Sequence, residues 1–135
     1  MNAHALGRAG EESAALYLAR EGYTILARNV HLSHNEIDII ARDDTRILFV
    51  EVKTRSARPG ISVPFGRPAA AVDERKRAFL LAAAKEYLAL HREEYGALTP
   101  NIDVIEVYAD PASENYRVLS IRHFRNAVNR MKGTT

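Results

Sequence analysis

Asp38, Glu51 and Lys53 are the residues of this chain whose types and spacing fit one piece of chemistry, metal-assisted cleavage of a phosphodiester. Two carboxylates held a few ångströms apart repel each other, and their ionised forms call for a cation between them. Hard divalent ions such as Mg²⁺ take oxygen ligands, commonly one or two carboxylates with water and substrate phosphate. An ammonium group on the same side would steady charge developing on a phosphoryl oxygen. A lone Glu-x-Lys is common, and its plain alternative is a cross-strand salt bridge at a sheet edge. Position favours the chemical reading. Glu51-Val52-Lys53 continues the apolar run Ile47-Leu48-Phe49-Val50, where unpaired charge is costly, and Asp38 lies on the preceding element.

Strand geometry explains how these groups would meet. Side chains alternate faces with period two. Residues 36–42, rich in isoleucine, read as a strand on which Glu36 and Asp38 share a face. Residues 46–54 read as a second strand on which Glu51 and Lys53 share a face, with Leu48, Val50 and Val52 on the other. The Asp43-Asp44 pair between them is turn-forming, so the strands should be adjacent and antiparallel, with Asp38 and Glu51 directed at one point. Upstream, Gly10–Arg20 carries Ala14, Ala15, Leu18 and Ala19 at helical spacing, with Gly22 at its C-terminal cap. A strand over 24–30 and a turn over 31–35 follow. Downstream, Pro59, Gly60, Pro64, Gly66 and Pro68 predict an irregular loop over 58–70. A long helix beginning at Asp73 presents Phe79, Leu80, Ala83, Ala84, Tyr87 and Leu88, then come strands over 102–108 and 116–121 and a short basic helix over 123–132. This order predicts one α/β domain over 1–135, a mixed sheet flanked by helices, with its core in about 7–122 and a basic segment in 123–135.

Composition excludes several classes. The 135 residues contain no cysteine, so neither a disulfide framework nor a thiolate metal site is available. The first residues lack the apolar core of a signal peptide, and the longest apolar run, Phe79 to Ala84, is far below the ~20 residues of a membrane span. A soluble cytoplasmic protein with no membrane partner is expected. The five histidines show no zinc-ligand spacing, Ser56 and Ser62 have no positioned base, and no glycine-rich phosphate loop is present. The net charge of +2 says little, but its distribution says more: seven basic residues against two acids between Lys53 and Arg77, and five against none between Arg117 and Lys132. Such clusters can track phosphates, although solvated surface charge is the plain alternative for each. Arg55 lies near the candidate site. Lys76 and Arg77 open the second helix, where the dipole disfavours cations, so phosphate contact suits them.

Asp38 followed thirteen residues on by Glu51-Val52-Lys53 resembles the PD-(D/E)xK signature of restriction-endonuclease-like nucleases. The fuller pattern resembles the YraN-like family of uncharacterised bacterial proteins. The stretches that carry it are Gly7-Arg8-Ala9-Gly10-Glu11, Leu26-Ala27-Arg28-Asn29, Glu36-Ile37-Asp38-Ile39-Ile40-Ala41, Phe49-Val50-Glu51-Val52-Lys53-Thr54-Arg55, Phe65-Gly66, Lys76 and Asp103-Val104. The resemblance implies a restriction-endonuclease-like αβββαβ core, related to archaeal Holliday-junction resolvases. It implies that Glu11, on the first helix, joins Asp38, Glu51 and Lys53 in a catalytic site, although Glu11 could instead be a first-turn residue favoured by the helix dipole. Asp38, Glu51 and the Val52 carbonyl would hold Mg²⁺ or Mn²⁺. Arg8, Arg55, Lys76 and Arg77 would face nucleic acid, here DNA in branched or repair intermediates. Similar resolvases are dimers, so a homodimer is compatible. Three positions depart from the family's pattern: Asn35 replaces a usual glycine, and Asn101-Ile102 replaces a usual Arg-Phe. Asparagine tolerates left-handed backbone better than most residues, so the turn at Asn35 can survive. The leading expectation is a metal-dependent nuclease. The alternative is a nucleic-acid-binding module with little or no catalysis, which the basic clusters serve equally well. A third is a protein-interaction subunit with a vestigial site.

Overall fold

Alanine and leucine dominate the first twenty residues, and they form a helix, α1, over Ala3–Arg20. It begins seven residues ahead of the expected start at Gly10, because Leu6 is buried and its packing outweighs the helix-weakening effect of Gly7 and Gly10. Gly22 follows with φ 97°, the left-handed backbone for which its lack of a Cβ suits it. A computed structural model describes residues 3–32, 35–60 and 74–127. The expected 58–70 loop beyond Gly60, Phe65-Gly66, the helix start at Asp73, the turn residue His34 and the basic residues Arg67, Arg130 and Lys132 lie outside the described residues.

The β-branched runs form β1 (Thr24–Leu32), β2 (Asn35–Arg42) and β3 (Arg46–Ser56), followed by α2 (Glu74–Leu90), α3 (Arg92–Tyr95), β4 (Thr99–Ala109) and β5 (Val118–Phe124). The five strands lie in sequence order across one sheet. Neighbours are antiparallel except β3 and β4, which run parallel with α2 in the crossover between them. This is the αβββαβ order, extended by a fifth strand. Asp43 closes the β2–β3 turn as its residue type predicts, its Oδ1 accepting the Thr45 and Arg46 N–H groups at 2.9 and 2.8 Å.

Both faces of the central strands are apolar because both are covered. Under α1, Ala14, Ala15 and Leu18 meet Ile39, Ala41, Leu48, Val50, Ile105 and Val107. Under α2, Leu80, Ala83, Ala84 and Tyr87 meet Ile40, Ile47, Phe49, Ile102 and Val104. Among the described residues no helix is long and apolar enough to cross a membrane.

The last strand departs from expectation. Asn115 and Tyr116 have φ of 62° and 51°, so they belong to the turn, and the strand starts at Val118 rather than 116. It then runs through His123, where a basic helix was expected, because His123 and Phe124 pair with Ile105 and Val104 of β4. Ala127 is fully buried, so the core extends beyond residue 122.

Candidate active site

The candidate site lies where the β2–β3 ladder ends. The strands pair from Arg42↔Ile47 to Ile39↔Val50, and one further step of this register sets Asp38 across from Glu51. The ladder stops there. Asp38 Oδ2 instead accepts the Val52 N–H at 2.8 Å, so a side chain takes the place of a backbone partner. Strand β2 turns about its axis at the same point: Ile37 joins the α2-side core although its parity matches Ile39 and Ala41 on the α1 side.

Glu51 and Lys53 share a face as the period-two alternation requires. Glu51 is 5% exposed, and its Oε2 lies 3.1 Å from Lys53 Nζ. A second ammonium, Lys76 Nζ at the start of α2, lies 3.5 Å from the same oxygen. One buried carboxylate thus holds two lysines from two elements.

Asp38 has the opposite surroundings. Burial pushes its pKa up from 3.8 to about 7, opposed by the Val52 N–H bond and reinforced by the negative charges of Glu51, Glu11 and Glu36. Glu11 is also raised, by burial first and then by Glu36, with Arg28 and a hydrogen bond to Asn29 acting against this and Glu51 adding to it. The carboxylates of Glu11, Glu36, Asp38 and Glu51 therefore form one field. Among the described residues, however, no three His, Asp or Glu side chains come together closely enough to hold a metal ion. Glu11 contributes charge at Asp38 rather than completing a protein-only cage.

Gly10 sets the position of Glu11. A Cβ at residue 10 would lie 1.9 Å from Thr54 Oγ1, so the absence of a side chain here lets α1 rest this closely on β3 without displacing Thr54. Asn29, which the sequence reading quoted only as part of a family stretch and gave no site role, is a site neighbour. It lies between Arg28, opposite Ile39, and Val30, opposite Ile37, and so across from Asp38. Its φ of 52° is left-handed. The signal available was residue type: asparagine within a β-branched run is one of the few side chains that adopts this backbone.

The expected nucleic-acid contacts separate. Arg8 is exposed on α1, one turn before Glu11, and Arg55 is exposed two residues past Lys53. Lys76 reaches the site by touching Glu51. Arg77 is turned along α2 into an ion pair with Glu74. Glu36 is paired with His31 across the β1–β2 hairpin at 3.2 Å.

A second buried polar group occupies the α1 face. Asp103, fully buried, lies 2.8 Å from His123 Nε2 and accepts the Asn126 N–H at 2.7 Å. The Tyr17 hydroxyl is 2.9 Å from His123 Nδ1. With Nε2–H donating to the carboxylate, Nδ1 of a neutral ring accepts the Tyr17 proton. The chain Tyr17–His123–Asp103 ties α1 to β5 and β4. It accounts for Asp103, and no sequence pattern paired the two distant residues.

Residues 10–107 match the model described as uncharacterised protein family UPF0102. A UPF0102 protein of Caldanaerobacter subterraneus is 39% identical over 127 residues, 94% of this chain and 97% of the relative. A UPF0102 protein of Chlorobium limicola is 42% identical over 127 residues, 92% of each. Among solved structures, the chain is similar to EndoMS in a complex with double-stranded DNA, with TM-score 0.35, 20% identity, and coverage of 70% of this chain and 35% of that one. It is also similar to Pyrococcus furiosus SfsA in complex with Ca²⁺, with TM-score 0.32, 15% identity, and coverage of 84% and 58%. At these TM-scores neither structural likeness carries a conclusion, and this chain spans less than two thirds of either protein.

Proposed function

This chain belongs to the UPF0102 family, the YraN-like family its motifs resemble, and we propose that it is a metal-dependent nuclease acting on DNA, with branched or repair intermediates as substrates. One observation carries the proposal. At the fork of β2 and β3, a carboxylate with its pKa pushed up to about 7 faces a buried carboxylate that holds two ammonium groups.

The donor set fits Mg²⁺ or Mn²⁺. Asp38, Glu51 and the Val52 carbonyl are hard oxygen donors, and four mutually repelling carboxylates are a field that a divalent cation offsets. Such an ion commonly keeps several waters and shares substrate phosphate, so two carboxylates and a carbonyl are a sufficient protein donor set. Bound there, the ion would supply Lewis acidity and lower the pKa of water. Asp38 Oδ2 is fixed by the Val52 N–H, which leaves Oδ1 for the ion or for a proton taken from water. Lys53 and Lys76 would exchange part of their contact with Glu51 for the phosphoryl oxygens and offset charge as it develops. Glu11 would act from beside the site as an auxiliary ligand or through its field. Arg8 and Arg55 would position backbone phosphates. A homodimer would bring two such sites to one branched substrate.

The test is cleavage of branched, flapped and single-stranded DNA with Mg²⁺ or Mn²⁺, alongside binding of the same substrates. Metal-dependent products support the proposal. The pairing of Glu51 with two lysines favours a second reading, a DNA-binding module with little turnover, because that carboxylate already has its countercharge. Binding without cleavage across the panel selects that module, and absence of both rejects each.

A further inference from the structure

We infer that Arg122 on β5, held by Tyr108 and standing on the same sheet face as Lys53 and Arg55, forms a second subsite for a backbone phosphate. This rests on the DNA-binding part of the reading above. The register supplies the layout. Lys53 pairs with Glu106 and Glu106 with Arg122, so these three side chains share one face in a single row across β3, β4 and β5. The next row is Arg55, Tyr108 and Ser120. Two strand spacings separate Lys53 from Arg122, about 10 Å at the backbone, a span that one phosphodiester strand can bridge.

Arg122 is held in place on this face. Its guanidinium donates to the Tyr108 hydroxyl and lies over the Phe124 ring, 5.1 Å from the centroid. Tyr108 in turn donates to Glu106 Oε1 at 2.8 Å. Glu106 is 6% exposed, and a buried carboxylate needs such compensation. An arginine fixed by a hydrogen bond and a ring loses little freedom when it binds an anion, and its planar fork suits phosphate. A solvated surface arginine has neither support.

The balance of charge points the same way. Lys53, Lys76, Arg55 and Arg122 belong to the β3–β5 side of the site, against the carboxylates Glu51 and Glu106. Glu11, Glu36 and Asp38 lie on the other side, with α1 and β2, where Arg28 is paired with Glu12 and Arg8 is the one basic residue assigned to phosphate. A polyanion is therefore drawn toward β5 and away from the acidic side.

The experiment is DNA binding by fluorescence anisotropy with a labelled duplex oligonucleotide in EDTA, over a salt series. It compares the full-length wild type with Arg122→Gln, Arg55→Gln, Tyr108→Phe, the double variant Tyr108→Phe/Arg122→Gln and the control Arg20→Gln, each checked by thermal melting. Loss of one phosphate contact should lower the log–log salt slope by about 0.9 and weaken binding about eightfold at 0.1 M salt. Arg122→Gln and Arg55→Gln should each show this, and Arg20→Gln should not. Tyr108→Phe should weaken binding by itself but add nothing to Arg122→Gln. If Arg122→Gln does not fold, Tyr108→Phe decides, because Arg55 already belongs to the proposed site. Wild-type affinity and slope in Arg122→Gln and Tyr108→Phe, with Lys53→Ala weakened, overturn the β5 subsite and leave the proposed function standing. If the wild type binds no DNA, both fall together.

Discussion

Replacing Asp38 by Asn should stabilise the protein above neutral pH. The folded-state pKa is raised from 3.8 to about 7, so the folded state binds a proton that the unfolded chain releases at intermediate pH. Stability from this group is complete below pH 3.8 and is lost as pH rises through about 7. At 1.36 kcal/mol per unit, the full cost of ionised Asp38 at pH 8 is about 4 kcal/mol. Asparagine keeps an oxygen that can accept the Val52 N–H and carries no charge. Urea unfolding should therefore give Asp38→Asn an advantage of roughly 2–4 kcal/mol at pH 8, allowing for partial relaxation in the wild type. The advantage should shrink through pH 6 and vanish near pH 4. Mg²⁺ at pH 8 should raise the wild-type midpoint and leave the variant unmoved, because the ion binds a folded-state carboxylate pair that the variant lacks. An equal effect at pH 4 and 8, or a variant less stable than wild type at pH 8, would refute the electrostatic account of the site.

Lys53→Ala should reduce any metal-dependent cleavage by about 10²–10³ while changing DNA affinity by one phosphate contact, measured by single-turnover kinetics beside anisotropy. Cleavage unchanged by Lys53→Ala would make Lys53 a structural partner of Glu51. Gly10→Ala, a substitution that helps an ordinary helix, should instead cost about 1–3 kcal/mol in urea unfolding, because its Cβ would meet Thr54 Oγ1; adding Thr54→Ala should recover part of the loss. Asp103→Ala should cost about 3–5 kcal/mol, since it leaves His123 and the Asn126 N–H without their buried acceptor. A loss below 1 kcal/mol would mean the network is not tight.

Local patterns carried the fold and the layout of Glu51 and Lys53 in the candidate site. Alternation placed Glu51 and Lys53 on one face, and the Asp43 turn set β2 against β3, because both depend on neighbours within a few residues. The αβββαβ order followed from the same runs. What failed depended on contacts between residues far apart in sequence. The strand at His123 forms because β4 accepts it, against the local helical expectation for a basic segment. Leu6 extends α1 because it is buried, which propensity alone cannot reveal. The Tyr17–His123 bond spans 106 residues, and the row Lys53–Glu106–Arg122 exists only once β4 and β5 are in register. The contact of Lys76 with Glu51 is likewise set by the packing of α2, and no local pattern in its own sequence reveals it.

The two carboxylates of the fork differ in what they say about function. Glu51 with Lys53 and Lys76 is compatible with a purely structural ion pair, since a buried acid between two ammonium groups has its charge compensated. Asp38 is not. A structural ion pair draws an aspartate's pKa down, whereas here burial and three other acids draw it up, and a single backbone N–H opposes them. An uncompensated acid of this kind lowers stability at neutral pH, and such costs concentrate where a site needs them. The β2–β3 ladder also gives way at that residue, and the Val52 N–H is spent on holding the Asp38 carboxylate in place. A cation at Asp38 would remove the repulsion, and Glu51 is the neighbouring carboxylate able to share it. On the proposed reading, the uncompensated charge at Asp38 is what a ligand from outside the chain would offset.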